Sequence, residues 1–448
     1  MTRLFTAVLA NSLVATVTNT FVWFAVTFWV YLETRSVIAT SVMAGIFTVT
    51  VALSGFLLGS IVDRYPKKTA MLISSAGTLV CFVLAFALYA STPSERFTDA
   101  SNPLLWVFVV LALAGAMTGN LRGIALSTLV TILVVEEERD RANGLVGSAN
   151  GAAFLVASIL SGLAIGFLGV YWTLVAAMVL TAGVLIHLLS LSIPAGPVGQ
   201  HEGHPVRLDL PGTIRVVQAV PGLFGLIFFH TFNNFLGGVF MALMDAYGLL
   251  LVSVQTWGTL WGVLSLGFIV GGLIVAKRGL GPDPLRTLFL ANIAMWTICC
   301  IFTLQASIML LAVGMFVWLC LIPVVEAAEQ TILQRVIPLE RQGRVFGFAQ
   351  SVEQAASPIT AFLIGPIAQM IFIPFMTDGA GVELLGPWFG TGTDRGLALL
   401  FTVSGIIGLV MTLLAMQTFS YRTLSRSFRV QLVRVDAGAP VVDAELIP

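Results

Sequence analysis

Gly59-Ser60-Ile61-Val62-Asp63-Arg64-Tyr65-Pro66-Lys67-Lys68 is a short polar passage between two long apolar runs. Four of its ten residues are charged, in a chain where only 10% are. A charge at the centre of a bilayer costs about 3 kcal/mol on insertion scales. A hydrocarbon-crossing segment must therefore stop before Asp63, and the next can begin only after Lys68. The passage reads as a tight turn at a membrane surface, joining a span over about 39–62 to one over about 69–90.

The rest of the 448-residue chain supports a membrane setting. It is 58% hydrophobic, and its charged fraction is far below the roughly 25% of soluble domains. The formal net charge is zero, so nothing favours a nucleic-acid partner. Cys81, Cys299, Cys300 and Cys320 lie inside apolar runs; they read as free thiols, not as a disulfide frame or metal cluster. The first apolar stretch, Thr6 to Tyr31, is longer than a signal-peptide core and is read as a retained span.

A span needs roughly 20 apolar residues. Twelve are expected, at about 6–31, 39–62, 69–90, 104–133, 143–168, 170–193, 221–244, 254–276, 285–305, 307–334, 345–373 and 395–416. With the amino terminus cytoplasmic, eighteen Lys and Arg residues fall inside, three fall outside (Arg35, Arg96, Arg395), and Arg122 lies within a span. The basic residues thus predict that both termini are cytoplasmic.

Residues 194–220 are rich in Gly and Pro and read as a linker between two six-span bundles, 1–193 and 221–416, with a tail over 417–448. Leu208 to Val220 is expected to form a short surface helix. His201 and His204 flank Glu202 without the spacing of a zinc-binding helix, so no metal is expected there. The bundles share a faint repeat. Arg141-Ala-Asn-Gly144 opens span five and Arg344-Val-Phe-Gly347 opens span eleven, at an offset of 203 residues. The same offset pairs Ser148 with Ser351 and Glu137 with Glu340. The charged turn has a worn copy, Gly272-Leu-Ile-Val-Ala276-Lys277, where Ala276 stands for the aspartate. Paired halves are the architecture that rocks around a central site.

Gly59, Asp63, Arg64, Lys67 and Lys68 match the charged turn between spans two and three of the major facilitator superfamily, with Pro66 where that family usually has glycine. The resemblance covers essentially the whole chain. It implies an all-α polytopic fold of twelve transmembrane helices in two pseudo-symmetric six-helix bundles. Within the superfamily the chain resembles bacterial drug:proton antiporters of the macrolide-efflux and enterobactin-exporter branch. The likeness rests on Arg344-Val-Phe-Gly347 after Gly343, Pro323 followed by polar residues, and Gly386-Pro-Trp-Phe-Gly-Thr-Gly392. The family's antiporter signature in span five keeps its small residues here (Ala157, Ser158, Ser161, Gly162) but not its proline. In this fold, spans one, four, seven and ten line a central cavity.

Ionisable residues at membrane depth are expensive and usually functional. Four stand out: Arg122 in span four, Glu326 and Glu329 in span ten, and Glu353 in span eleven. Glu326 is nine residues from Arg335, about 13 Å into the membrane. Glu326, alone or with Glu329, is expected to carry the coupling proton, with Arg122 as its counter-ion; a static Arg–Glu pair between spans four and ten is the alternative. Glu353 is a second coupling candidate, and Glu329 is expected nearer the cytoplasm, solvated. Thr16, Asn19, Thr20 and Trp23 in span one, and His230, Asn233, Asn234 and Met241 in span seven, form helical stripes expected to face the cavity. Asp63 is expected to cap the start of span eleven near Gly343, a contact worth about 0.3–2 kcal/mol. Lys67 and Lys68 are read as topology anchors.

The expected function is proton-coupled export of amphipathic compounds, cationic ones among them, by alternating access, suited to Met and aromatic surfaces. Export of a siderophore or other anionic metabolite, with Arg122 binding the anion, is the rival. A non-transporting sensor on the same fold is a third reading. No phosphate loop or soluble domain supports an enzyme, and no cofactor is expected beyond the proton gradient. The expected partners are the lipid bilayer of a bacterial cytoplasmic membrane, a small-molecule substrate and protons, with the chain acting as a monomer.

Overall fold

A computed structural model describes residues 2–34, 43, 46, 50, 54–55, 57–99, 101–194 and 210–425. Most of predicted span two, the linker residues 195–209 with His201 and His204, and the tail beyond Ser425 lie outside the described residues. The described chain is helical: α1 (Arg3–Thr34), α2 (57–64), α3 (Lys67–Ser91), α4 (Pro103–Leu133), α5 (Arg139–Phe167), α6 (Gly169–Ser190), α7 (Leu210–Ala219), α8 (Leu223–Leu251), α9 (Val254–Leu264), α10 (Leu266–Arg278), α11 (Pro284–Ile301), α12 (Ile308–Val336), α13 (Gln342–Ile367), α14 (Ile373–Thr377), α15 (Gly381–Leu384), α16 (Gly386–Phe389) and α17 (Thr393–Gln417). Among the described residues, 11 helices are long and apolar enough to cross a membrane. With α2, this is the twelve-helix arrangement the sequence led us to expect.

Local chemistry sets the boundaries. Asn102 accepts a hydrogen bond from the Leu104 amide at 3.0 Å and Pro103 opens α4. Asp283 accepts from Arg286 N at 2.9 Å and Pro284 opens α11. A proline at the first helical position loses nothing, because its missing N–H would be unpaired anyway. Pro66 precedes α3 at φ −49°, so the proline that replaces the usual glycine fits the turn without strain.

Two departures from uniform spans have local causes. Predicted span eight breaks at Ser265, whose hydroxyl donates to Gly262 O at 2.7 Å and competes with the helical ladder. Predicted span eleven continues past α13 through a π turn, Ala368–Phe372, between Pro366 and Pro374; each proline removes a ladder donor.

Packing is divided by depth. Trp29, Phe97 and Phe108 anchor a core of residues from α1, α3, α4, α5 and α6. Phe240, Trp296 and Phe401 anchor a second among α8, α11, α12, α13 and α17. A third core draws on both halves, with Val62, Leu129, Ile332 and Val345 all buried together. It lies at the end of the molecule that carries the charged turn. The two halves therefore share a core at the turn end and keep separate ones elsewhere.

Candidate functional site

The turn end is held shut by Asp63. Its carboxylate accepts the Gly343 amide at 2.7 Å and the Arg344 amide at 2.9 Å, and Arg344 Nε stands 3.5 Å from it. These are the first amides of α13, which its own ladder leaves unpaired. The carboxylate also meets the positive end of the helix dipole. Gly59 makes the approach possible, since a Cβ there would strike the Gly343 carbonyl. Gly59→Val should therefore prise α2 from α13. Overpacking of this kind costs about 1–3 kcal/mol, so cysteine labelling of the turn-end seam should quicken on the order of tenfold. Unchanged labelling would remove the glycine contact from the account.

Lys67 and Lys68 do more than anchor topology. Lys67 is 2% exposed, and its ammonium donates to Val62 O at 2.7 Å. Lys68 donates to Leu189 O and Leu191 O, at 3.0 and 2.6 Å, closing the end of α6. A cation at a helix C-terminus satisfies orphan carbonyls and opposes the dipole. Arg64 lies near the Tyr65 ring, 5.9 Å from its centroid.

The worn copy of the turn is latched from the opposite direction. Gly272 packs on Gly144 and Ser148. Ala276 offers no carboxylate, but Asp140, at the start of α5, accepts the Leu280 amide at 2.7 Å. Our reading of the sequence passed over Asp140. It stands directly before the Arg141 that aligns with Arg344, so the repeat itself carried the signal.

A buried amide network lies beneath the cavity. Asn143 Nδ2 donates to Thr331 Oγ1 and Gln334 Oε1, both at 2.9 Å. Gln334 donates to Ser127 O at 2.9 Å, and Thr131 donates to Gln342 Oε1 at 3.0 Å. Each bond joins the first half to the second. These residues were also missed, because a charge count gives neutral amides no weight.

Above the network lies a cavity of about 580 Å³. Its wall comes from α1, α4, α5, α12 and α13 and includes Thr16, Asn19, Thr20 and Trp23 as expected of span one. Arg122, Glu326, Glu329 and Glu353 all reach this wall. The structure thus brings together the four mid-depth ionisable residues, from three helices. Glu326 is exposed to the cavity. Glu329 is not the solvated group we expected: it is 6% exposed, and its Oε2 lies 3.0 Å from His230 Nδ1. One further turn of α12 turns its side chain toward α8. Glu353 joins them, one ligating atom from each of His230, Glu329 and Glu353 lying within 4.8 Å of the others.

The expected Arg122–Glu326 ion pair is absent among the described residues. Arg122 is 3% exposed and turns to neutral partners, donating to Asn11 Oδ1 at 2.6 Å and to Ser75 Oγ. Asn11 in turn donates to Val184 O at 2.9 Å and meets His187 Nδ1 at 3.0 Å. The guanidinium is tied into the first half by α1, α3 and α6, which holds it back from α12.

The expected stripe on α8 also needs correction. None of His230, Asn233, Asn234 and Met241 is on the cavity wall. Asn233 accepts from Trp296 Nε1 at 2.7 Å, so it faces α11. The Asn234 carbonyl accepts from Ser357 at 3.1 Å. Met241 is 78% exposed. Helical spacing groups these residues on one side of α8, but spacing alone does not fix the direction in which that side points.

Comparison with known proteins agrees with this geometry. The model of the Major Facilitator Superfamily matches residues 8–361. Macrolide efflux protein A of Streptococcus pyogenes is 23% identical over 394 residues, 82% of this chain and 90% of that protein. The puromycin resistance protein pur8 of Streptomyces alboniger is 28% identical over 167 residues, 37% of this chain and 30% of that one. Among solved structures, a bacterial homologue of the iron transporter ferroportin in an outward-facing state superposes with a TM-score of 0.68 at 14% identity, covering 93% of this chain and 100% of the other. The charged turn with its capped helix, the paired halves and the family match lead to one assignment: this chain is a member of the major facilitator superfamily.

Proposed function

We propose that the chain exports amphipathic organic compounds in exchange for protons, by alternating access across a bacterial cytoplasmic membrane with both termini in the cytoplasm. The observation that carries the reading is a cavity shut at the turn end by Asp63, with Glu326 exposed inside it and no basic residue paired to it among the described residues. A carboxyl group so placed is able to take a proton from one side and release it to the other once the halves rock. Thr16, Asn19, Thr20 and Trp23 supply a mixed polar and aromatic wall on which varied ligands can settle. Similarity to macrolide efflux protein A and pur8 supports export as the direction and drug-like compounds as the cargo. The chain is taken to work as a monomer without a resident cofactor.

Arg122 favours a second reading, export of an anionic metabolite. It stands at the cavity wall with neutral partners, and no carboxylate among the described residues pairs with it.

Cells carrying the protein should retain less of a cationic dye and of a macrolide than control cells, and a protonophore should erase the difference. Retention lowered only for anionic compounds would select the second reading. Uptake of a nutrient with no efflux of any compound would overturn export altogether.

A further inference from the structure

We propose that His230, Glu329 and Glu353 form a binding site for a divalent transition-metal cation of the zinc type, reached from the central cavity. The three side chains come from α8, α12 and α13, all in the second half, and offer ligating atoms within 4.8 Å of one another. This departs from the sequence-based expectation of no metal, which rested on the linker histidines and the cysteines.

The cluster is more than a group of acids. His230 and Glu329 are 7% and 6% exposed, yet His230 Nε2, Glu329 Oε1 and Glu353 Oε1 have no hydrogen-bond partner. Buried polar atoms are nearly always satisfied, by protein, water or an ion, so these open atoms leave room for a ligand at the cluster. No lysine or arginine forms an ion pair with Glu329 or Glu353 among the described residues. Two carboxylates crowded together with no lysine or arginine beside them repel each other, and a doubly charged cation balances them.

The donor set narrows the ion. An imidazole with two carboxylates suits zinc, cobalt or manganese. Calcium takes six to eight oxygen ligands and magnesium holds its waters, so neither matches. Zinc bonds of about 2.0–2.2 Å place tetrahedral ligand atoms roughly 3.4 Å apart. Side-chain rotation of about an ångström therefore closes the site. Three protein ligands leave a coordination position open. Glu329 and Glu353 both reach the cavity wall, so that position is accessible to water or to a chelating cargo.

The test reads binding, not transport, and so stands apart from the export proposal. Chelator-stripped full-length protein in detergent is titrated with Zn²⁺ by calorimetry and with Co²⁺ by visible spectroscopy. One ion per chain is expected, with a cobalt spectrum of low coordination number. His230→Gln, Glu329→Gln and Glu353→Gln should each weaken binding at least about tenfold, the range seen even for outer-shell changes. Each variant is checked for an unchanged gel-filtration profile, and one that does not fold is replaced by the Ala or Asn change at that position. Absence of binding, binding indifferent to the three substitutions, or equal affinity for Ca²⁺ that ignores His230→Gln would overturn the site.

Discussion

Asp63→Asn is expected to loosen the closed end of the cavity by about thirty- to hundredfold. The wild-type carboxylate is 1% exposed and accepts two backbone amides at once, at 2.7 and 2.9 Å. Hydrogen bonds to a charged group are worth about 1.5–3 kcal/mol each. Asparagine keeps one acceptor but turns an NH₂ toward the other amide, so one charge-assisted bond is lost and two donors face each other. The dipole attraction to α13 is lost as well. A net cost of about 2–3 kcal/mol falls on the closed form, because these bonds exist only while the halves meet there. Cysteine labelling along the seam near Ser127 and Gln334 reads the shift directly. Transport turnover should slow, while cargo binding from the other side persists. If labelling and turnover both match the parent protein, the Asp63 contact is not a gate.

Glu326→Gln should reduce gradient-driven accumulation in vesicles to background while leaving cargo exchange at equilibrium. Glutamine preserves the size and most hydrogen bonding of the side chain but cannot give up or accept the coupling proton. Glu326 is the appropriate target because it faces the cavity, whereas Glu329 is buried against His230 and Glu353 lies beside that pair. The two activities separate coupling from binding. Loss of both would mean that Glu326 holds cargo, and retention of proton-driven transport would exclude it as the carrier.

The sequence revealed the fold because the bilayer imposes it. Apolar runs of the right length, stopped by Asp63 or started by Asn102 and Asp283, leave few alternatives to spanning helices. It also picked out charged residues that share the cavity wall, since rise per residue converts position into height along a helix. Azimuth was harder to read. Whether Asn233 faces the cavity or Trp296 depends on how α8 is rotated by its neighbours, and no periodicity within α8 carries that information. Arg122 shows the same limit. Its height matches Glu326, but Asn11, Ser75 and His187 hold it on its own side, and those partners come from three other helices. The Asn143–Gln334 network went unread because its members bear no charge, although burying an amide also demands a partner.

At both latches the first half contributes the acid, Asp63 or Asp140, and the second half receives it on main-chain N–H groups, of Gly343, Arg344 and Leu280, with the Arg344 guanidinium 3.5 Å from Asp63 as a side-chain addition. The lock is thus a side chain and the keyhole is backbone. A scan of alanine substitutions would find the lock but could not remove the keyhole, because Arg344 and Leu280 keep their amides whatever side chain they carry; at Gly343 alanine acts by filling the space that Asp63 needs. Only proline, or an ester in place of the amide, removes that half of the contact. The second half therefore answers the first with backbone at both seams, and Gly343 must stay small for the acid to approach.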